Sequence, residues 1–459
     1  MECLTVVEIK AYLSTANSNW HRDLKLSLPN RNIDSPTAPS IGFSCKVLMF
    51  QKYYSSWKIT ELLGISDFRY LWISSSIWWQ ARWMEELIVG WVVLELTDSA
   101  GLVALVSFCR MAPFMLLGPF FSTIIRYFSY RWLIVNAQII NCIVNGIFWS
   151  LAFLDYLDFW HIVLGSLFIG LGSAYDWSSR RAIIPDLVGK NRTTSAMVLE
   201  TVPQNVSRLL GPLLSGILLE YTGTAGGFFA LFLMYTVQIL VIIKLSNKTD
   251  QKVQSKNHLT PYKDLLLAFR YSRKDYRIMS VLVITFLMNS LAFSYQVLLP
   301  VFVRDVLGLG PVELGILGAG VGIGSIMGII IIDRLGHYFQ ENFIFTISSL
   351  VNALATFIFA ISISFQLSLV MLIILGIGQT GFSIMQSSII LRSSSNPMRA
   401  RVMGLLVLAI GGGPPGRLLI GTLAGFAGAP IALSMAAGMA CLGIVTVFYR
   451  FGDKQKVPY

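Results

Sequence analysis

The sequence predicts an all-α polytopic membrane protein with twelve transmembrane helices in two six-helix pseudo-repeats. Three observations lead to this fold: an apolar composition, a series of long apolar stretches, and a weak similarity between two halves of the chain. Of the 459 residues, 55% are hydrophobic and 13% are charged, whereas a soluble domain carries about 25% charged residues. The composition excludes an ordinary cytosolic enzyme, and it excludes nucleic-acid binding as the reason for the net charge of +11.

Each predicted helix corresponds to one apolar stretch, because about 20 mostly apolar residues are needed to span a bilayer core. Six stretches precede a long polar linker and six follow it. In chain order they cover residues 70–96, 101–125, 132–153, 159–179, 195–220, 224–244, 278–303, 312–332, 342–362, 366–390, 402–426 and 429–449.

The basic residues determine the predicted orientation of the chain. With both termini in the cytoplasm, the inner segments hold 30 of the 35 Lys and Arg residues, and the outer loops hold only Arg304. This asymmetry follows the positive-inside rule for multi-pass proteins. We therefore predict a multi-pass protein of the inner or plasma membrane, whose basic loops face anionic lipid in the cytoplasm.

The predicted domain organisation has five parts. Residues 1–48 show no sustained apolar period, and we expect them to be disordered and dispensable; the alternative is a cytoplasmic regulatory tail. A short amphipathic helix is expected at residues 262–277, on the inner membrane surface. The parts are an N-terminal cytoplasmic extension (1–66), an N-terminal six-helix bundle (67–245), a cytoplasmic linker (246–274), a C-terminal six-helix bundle (275–452) and a cytoplasmic tail (453–459).

An internal repeat relates the two predicted bundles. A shift of 208 positions places Arg126 on Arg334, and a shift of 209 positions places R-L-L-G-P-L-L-S-G (208–216) on R-L-L-I-G-T-L-A-G (417–425). Two bundles with the same orientation are related by an axis along the membrane normal. Proteins of this design bind substrate near the bilayer midplane, between the two repeats.

Several longer motifs carry a resemblance to a known family. They are R-W-M-E-E-L-I-V-G-W-V-V-L-E-L-T-D-S (82–99), S-S-R-R-A-I-I-P-D-L-V (178–188), N-V-S-R-L-L-G-P-L-L-S-G (205–216), L-L-P-V-F-V-R-D-V-L-G (298–308) and R-A-R-V-M-G-L (399–405). With them, the chain resembles a major facilitator superfamily transporter over about residues 67–450. More narrowly, it is similar to the twelve-span group of enterobactin exporters and macrolide or multidrug efflux pumps.

The resemblance implies a cytoplasmic gate and also shows a departure from the family pattern. The loop between spans two and three (118–131) carries Arg126 but no Asp, whereas the second bundle keeps Asp333 and Arg334. Asp176, Arg180 and Arg181 close span four, and their spacing suits a gate network of ion pairs more than a substrate site. These six residues are the predicted gate candidates.

Arg208 and Arg417 are the first candidates for a substrate cavity, because each lies near the middle of its span. A central Arg costs at least about 2.5–3.5 kcal/mol to insert, so each should face a cavity or a partner. They could bind an anionic substrate; the alternative is a structural Arg paired with a carboxylate or with helix carbonyls. The other cavity candidates are Arg110, Asn289, Tyr295, Gln296 and Gln379. The four neutral ones lie on helices that line the cavity in the family that the chain resembles, and hydrogen bonds between helices are an equally good account of them.

Arg82, Glu85 and Glu86 are candidates for proton coupling. Their spacing of i, i+3 and i+4 places them on one face of span one, and two buried acids beside one Arg cannot both be comfortably ionised. One Glu could therefore exchange a proton with bulk water. The alternative is a salt-bridged trio near the outer end of the span, and Arg110 is a candidate partner for the second Glu.

The predicted function follows from these residues and from the resemblance together. We expect a secondary active transporter, a proton-coupled exporter of a siderophore, macrolide or drug-like compound by alternating access, and not an enzyme. The alternatives are an uncoupled facilitator or importer, and a transporter-like receptor or scaffold. The chain carries no nucleotide-binding loop and no His or Cys cluster with metal-ligand spacing, so no cofactor or metal is expected. The expected partners are the small-molecule substrate, protons and the lipid bilayer, without nucleic acid, and we expect a monomer.

Overall fold

The computed structural model describes residues 61–117, 128–246 and 261–452. All of them belong to one compact unit that extends over Lys58–Tyr459. We call residues 61–246 the first half and residues 261–452 the second half. The predicted N-terminal disorder, most of the loop after span two with the gate candidate Arg126, and residues 247–260 of the linker lie outside the described residues.

The described residues form helices and contain no strand, which confirms the all-α fold. In chain order the α-helices are α1 (Ser66–Thr97), α2 (Ala100–Leu117), α3 (Tyr130–Phe153), α4 (Phe159–Val188), α5 (Thr193–Ile242), α6 (Pro261–Ser272), α7 (Tyr276–Ser290), α8 (Tyr295–Val301), α9 (Pro311–Leu335), α10 (Glu341–Ala360), α11 (Phe365–Ser393), α12 (Asn396–Ile410), α13 (Gly413–Ala427) and α14 (Ala429–Gly452). The helix predicted at residues 262–277 is present as α6, and Asp275 then begins α7 by accepting a hydrogen bond from the backbone N–H of Arg277 at 2.9 Å.

Eight helical segments in the described part of the chain are long and apolar enough to cross a membrane. They are Tyr130–Phe153, Thr193–Ile242, Tyr276–Val306, Pro311–Leu335, Glu341–Ala360, Phe365–Ser393, Arg401–Ala427 and Ala429–Arg450. The helix is the natural state of such segments, because in lipid each backbone N–H and C=O must be satisfied within the segment. The chain is therefore a multi-pass membrane protein, and the count of twelve spans stays a prediction.

Three of these segments are interrupted, and in one of them, Arg401–Ala427, α12 ends at Ile410 and α13 begins at Gly413. The 50-residue α5 has a non-helical backbone at Gly223, where φ is +65° and ψ is −170°; this left-handed φ favours glycine, which has no Cβ. In the second half, Tyr276–Val306 contains a 3₁₀ turn at Ala292–Ser294 and a π-helical turn at Phe302–Val306. Pro300 lies just before the π-helical turn and has no backbone N–H to continue the helical ladder.

The glycines of α9 lie on two faces that pack against two different helices. On one face, a Cβ at Gly320 would lie 2.9 Å from Leu369, and a Cβ at Gly324 would overlap the carbonyl oxygen of Ile373, both in α11. On the other face, a Cβ at Gly322 would lie 2.7 Å from the Cα of Leu209 in α5. The small residues thus allow close backbone approach on both sides, and one of the two faces joins the second half to the first.

A second close approach between the halves joins α2 to α13. A Cβ at Gly101 would lie 3.7 Å from the Cα of Thr422, and a Cβ at Gly421 would overlap Ala104. The halves therefore meet along two helix pairs, α5 with α9 and α2 with α13. Between these pairs they enclose the cavities described next.

Candidate functional site

A cavity of about 300 Å³ lies between the two halves. Its first-half wall comes mainly from α1, α2 and α4, and its second-half wall includes Gln296, Pro300 and Arg417. Four tryptophans, one carboxylate and three guanidinium groups line it: Trp78, Trp79, Trp83, Trp177, Glu86, Arg82, Arg110 and Arg417. A cavity with aromatic walls and a few charged groups is typical of a small-molecule site.

Arg417 is held at this cavity by neutral and charged neighbours. Its Nη2 donates a hydrogen bond to Oε1 of Gln296 at 2.8 Å, and its Nη1 lies 3.9 Å from Oε1 of Glu86. Its Nη1 also contacts the Sδ of Met111 at 3.3 Å. Only 11% of the side chain is exposed, and its Nε has no hydrogen-bond partner among the described residues.

Arg208 faces a smaller neighbouring cavity of about 70 Å³, which is also lined by Glu86 and Gln296. Its guanidinium lies 5.1 Å from the ring centroid of Trp83, within the range of a cation–π contact. It forms no ion pair within 4 Å of another described residue. Tyr295 and Gln379 line the same cavity and are joined by a hydrogen bond of 3.2 Å from the hydroxyl to Oε1.

Glu85 and Glu86, which are neighbours in sequence, have different surroundings. Glu85 is fully buried and accepts hydrogen bonds from Nη2 of Arg110 at 2.6 Å, Nδ2 of Asn145 at 2.9 Å and the hydroxyl of Tyr235 at 3.3 Å. The side chain of Glu86 is 32% exposed and faces the cavity. Of the two acidic candidates for proton coupling, Glu85 is thus held by three hydrogen-bond donors, and Glu86 is accessible from the cavity.

The third proton-coupling candidate, Arg82, stands at the cavity wall. Its guanidinium lies 5.7 Å from the ring centroid of Trp78. Among the described residues it forms no ion pair within 4 Å. The helical spacing therefore brings Arg82 near the two acids, but Arg82 forms an ion pair with neither of them. Glu85 is paired instead with Arg110 of α2.

The gate candidates on α4 form a buried pair in the first half. Nε of Arg180 lies 3.0 Å from both carboxylate oxygens of Asp176, and Nη1 reaches the hydroxyls of Ser74 and Ser75 of α1 at 3.1 and 3.2 Å. Arg181 instead lies over the ring of Trp177 at 4.3 Å. The pair thus ties α4 to α1.

The remaining candidates lie apart from these cavities. Asp333 and Arg334 are exposed and form no ion pair with another described residue. Asn289 lines neither cavity and donates a hydrogen bond to the carbonyl of Thr285, in its own helix, at 2.9 Å. Within the described residues, no group of three or more His, Cys, Asp or Glu side chains is placed to hold a metal ion.

Two features of the site were missed by the sequence reasoning. The tryptophans of α1 line the cavity, and their clustering at 78, 79 and 83 is a visible signal in the sequence. Glu200 is buried and lines a third cavity, of about 130 Å³. It is the only acid within the predicted span 195–220 apart from Glu220 at its end, and an acid in an apolar span is itself a functional signal.

Comparison with known proteins places the chain among membrane transporters. The family described as transmembrane secretion effector matches residues 62–456. The chain is 22% identical over 399 residues to the staphyloferrin A transporter of Staphylococcus aureus, covering 85% of this chain and 97% of that protein. It is 24% identical over 282 residues to the enterobactin exporter EntS of Shigella boydii, covering 61% and 66%. It is 19% identical over 299 residues to macrolide efflux protein A of Streptococcus pyogenes, covering 64% and 71%.

Solved structures of transporters share the fold. The nucleoside transporter NupG superposes with a TM-score of 0.67 at 14% identity, covering 84% of this chain and 98% of that one. A bacterial homolog of the human lysosomal transporter Spinster gives 0.64 at 15%, covering 86% and 95%. The resemblance stated from the sequence motifs is confirmed. The chain belongs to the transmembrane secretion effector family of major facilitator superfamily transporters, and it is a transport protein rather than an enzyme.

Proposed function

We propose that this protein is a proton-coupled exporter of small acidic molecules that works by alternating access. The observation that carries the proposal is the cavity of about 300 Å³ between the two halves, with charged groups of both halves on its walls. A site between two repeats is the place where transporters of this design hold substrate while one repeat rocks against the other. The small-molecule character is supported by the siderophore and macrolide transporters among the relatives.

The architecture that we propose has twelve spans in two repeats, with both termini in the cytoplasm. The break at Gly223 divides α5 into two segments, each long enough for one span, and α12 with α13 supplies one span interrupted at Gly411 and Gly412. α1 and α2 supply the first two spans and α4 supplies the fourth, although polar or charged side chains, or length, keep these three helices out of the eight apolar segments. The basic inner loops support the orientation.

The acidic character of the substrate is proposed from the charge balance of the cavities. Among the described residues, Arg82, Arg208 and Arg417 face them without an ion pair shorter than 3.9 Å, and Glu86 is the one carboxylate at the walls of the two cavities. The positive charges therefore outnumber the negative ones. An anion that replaces water next to these guanidinium groups gains charge-assisted hydrogen bonds, while the tryptophans supply apolar contact area.

Proton coupling and the outward direction are proposed from the chemistry of the interior and from the exporters among the relatives. The chain has no nucleotide-binding loop to power transport. A carboxylate in the membrane that can change its protonation state is the usual alternative. The two span-one acids differ in access, because Glu85 is engaged by three donors whereas Glu86 is open to the cavity.

The test is substrate uptake into proteoliposomes with an acidic or a neutral lumen, measured for a panel of siderophores, macrolides and dyes. Empty liposomes correct for passive partition. We expect the acidic lumen to drive uptake of acidic panel members, since protons leaving the lumen would exchange for substrate. Collapse of the gradient by a protonophore should return uptake to the neutral-lumen rate. Uptake that is equal with and without the gradient would indicate a facilitator, and uptake driven by an acidic exterior would indicate an importer.

A further inference from the structure

Three carboxylates are buried among the described residues: Glu85, Asp176 and Glu200. Glu85 is paired with Arg110 at 2.6 Å, and Asp176 is paired with Arg180 at 3.0 Å. Glu200 has no ion pair within 4 Å, and its Oε2 has no hydrogen-bond partner among the described residues. Glu200 is therefore the exception: it is 8% exposed and lacks a cation of its own.

The missing cation favours the protonated form of Glu200. An isolated carboxylate that leaves water for an apolar interior loses its solvation, and the neutral acid avoids most of that cost. Glu85 and Asp176 escape the penalty because a guanidinium group compensates each of them. Glu200 has no such guanidinium group within 4 Å among the described residues.

The deprotonated form of Glu200 must also be reachable if the group is to exchange protons. The groups that face it are Ser75 of α1 and Arg180, Arg181 and Asp176 of α4. The two arginines favour the carboxylate, whereas Asp176 and burial oppose it. Arg180 is already engaged by Asp176 through its Nε, so its attraction for Glu200 is partly compensated. Opposing influences of this kind leave both protonation states accessible.

The cavity that Glu200 lines lies next to the larger cavity. The cavity of about 130 Å³ that Glu200 lines also touches Trp78, Trp79, Trp177 and Gln204, and the cavity of about 300 Å³ touches the same four residues. The cavity is lined by polar groups of Arg180, Arg181 and Thr201 as well as by tryptophans, and its volume has room for more than one water molecule. Water in it can deliver a proton to the carboxylate and remove it again.

We propose that Glu200 is the proton-binding carboxyl of this transporter, in a compartment separate from the substrate. The step is a proton transfer: the Glu200 carboxylate takes a proton from hydronium to give the neutral acid and water, and the reverse transfer occurs after the halves have moved. The substrate faces Arg417 and Arg208 in the other cavities, so the proton and the substrate occupy different atoms and are coupled through the movement of the halves. This inference rests on the proposed proton-coupled function.

The experiment compares the wild type with Glu200→Gln, Glu200→Asp and the control Glu220→Gln in proteoliposomes. Glu220 is an exposed carboxylate on the same helix, so its substitution is chemically matched. Each protein is measured for uptake driven by a pH gradient and for exchange of labelled substrate without a gradient. We expect Glu200→Gln to lose the driven uptake and keep the exchange, because a Gln cannot carry the proton. Glu200→Asp and Glu220→Gln should keep both activities.

The two readouts separate the possible failures. Wild-type uptake that ignores the gradient would overturn the proposed coupling and this inference with it. Driven uptake by Glu200→Gln at the wild-type rate would overturn this inference alone.

A measurement on the wild type covers the case in which Glu200→Gln does not fold. Dicyclohexylcarbodiimide adds to protonated carboxyl groups in apolar surroundings. Mass spectrometry should find it on Glu200, with less labelling at alkaline pH, and should find Glu85 and Asp176 unmodified. Labelled Glu85 or Asp176 with an unmodified Glu200 would contradict the assignment.

Discussion

The interiors of the two halves differ in the kind of polar group that they bury. The described part of the first half buries four ionisable side chains, Glu85, Asp176, Arg180 and Glu200, together with neutral polar ones. The described part of the second half buries only neutral polar side chains, such as Thr285, Asn352, Thr356, Gln379 and Gln386. The two halves are thus different inside, although their sequences carry traces of a repeat.

This difference suggests that the two halves have different roles in transport. Buried charges are costly unless paired, so they are retained where they do something that a neutral group cannot do. Neutral hydroxyls and amides bind and orient at lower cost. We infer that proton chemistry belongs to the first half, and that the second half contributes hydrogen-bonding groups, close packing and the cation Arg417.

The largest effect is expected where the ionic interior is broken. Glu85→Gln keeps the shape of the side chain but leaves Arg110 without its counter-charge, and removing one partner of a buried pair costs about 3–5 kcal/mol. Thr356→Val is the matched isosteric change in the second half, where it removes a hydrogen bond of 2.9 Å to the carbonyl of Asn352. It should cost about 1 kcal/mol. Thermal unfolding in detergent measures both, and equal shifts would remove the proposed distinction between the halves.

The next effect tests the packing of the second half. At Gly324, an added Cβ would overlap the carbonyl oxygen of Ile373, so Gly324→Ala should destabilise by about 1–3 kcal/mol through overpacking. Gly404→Ala is the control, because nothing lies within 4 Å of its added Cβ. It should gain up to about 1 kcal/mol from helix propensity. Unfolding curves that move in the same direction for both variants would contradict close packing at Gly324.

A smaller effect, on substrate affinity, is expected at the cavity where Arg417 of the second half lies near Glu86 of the first half. Arg417→Leu removes the second-half guanidinium that lies 3.9 Å from Glu86. The KM for an acidic substrate should rise about tenfold, which corresponds to about 1.4 kcal/mol, while the KM for a neutral substrate changes little. Proteoliposome uptake of both substrates gives the comparison, and equal losses for the two would assign Arg417 a structural role.

The smallest effect belongs to an exposed ion pair at the ends of the two halves. Nη1 of Arg304 lies 2.8 Å from Oδ1 of Asp98 and 2.8 Å from the carbonyl oxygen of Leu94. Asp98 is largely exposed, so Arg304→Gln should change the free energy of unfolding by about 0–1 kcal/mol. The difference from the wild type should shrink further at high salt. A loss as large as that of Glu85→Gln would show that charge holds the halves together.

The sequence contained enough information for the fold class and for much of the candidate site. Composition and apolar length predicted the membrane helices, and the longer sequence motifs predicted the transporter family. The choice of Arg110 for Glu85 rather than for Glu86 could not be derived. It depends on how α1 is rotated against α2, and adjacent residues of a helix point about 100° apart.

Glu200 shows a second kind of limit. In the sequence it is one acid in an apolar stretch, without a motif around it. Its importance arises from which arginines are already engaged, and that depends on the contact between α4 and α1. The pairing of Arg180 with Asp176 was compatible with its spacing in sequence, but the hydrogen bonds of Arg180 to Ser74 and Ser75 span more than a hundred residues.

The two glycine contacts between the halves have a mechanical consequence. Where α5 meets α9, Gly216 faces Gly315, and where α2 meets α13, Gly101 and Gly421 face backbone or a small residue. At these glycines no side chain projects from the helix, so the backbones are in close contact and one half can rotate against the other. A large side chain at Gly216 or Gly421 would separate the paired helices and restrict the two halves to one relative orientation. Variants with such a side chain would thus provide a single conformation of the transporter for experimental structure determination.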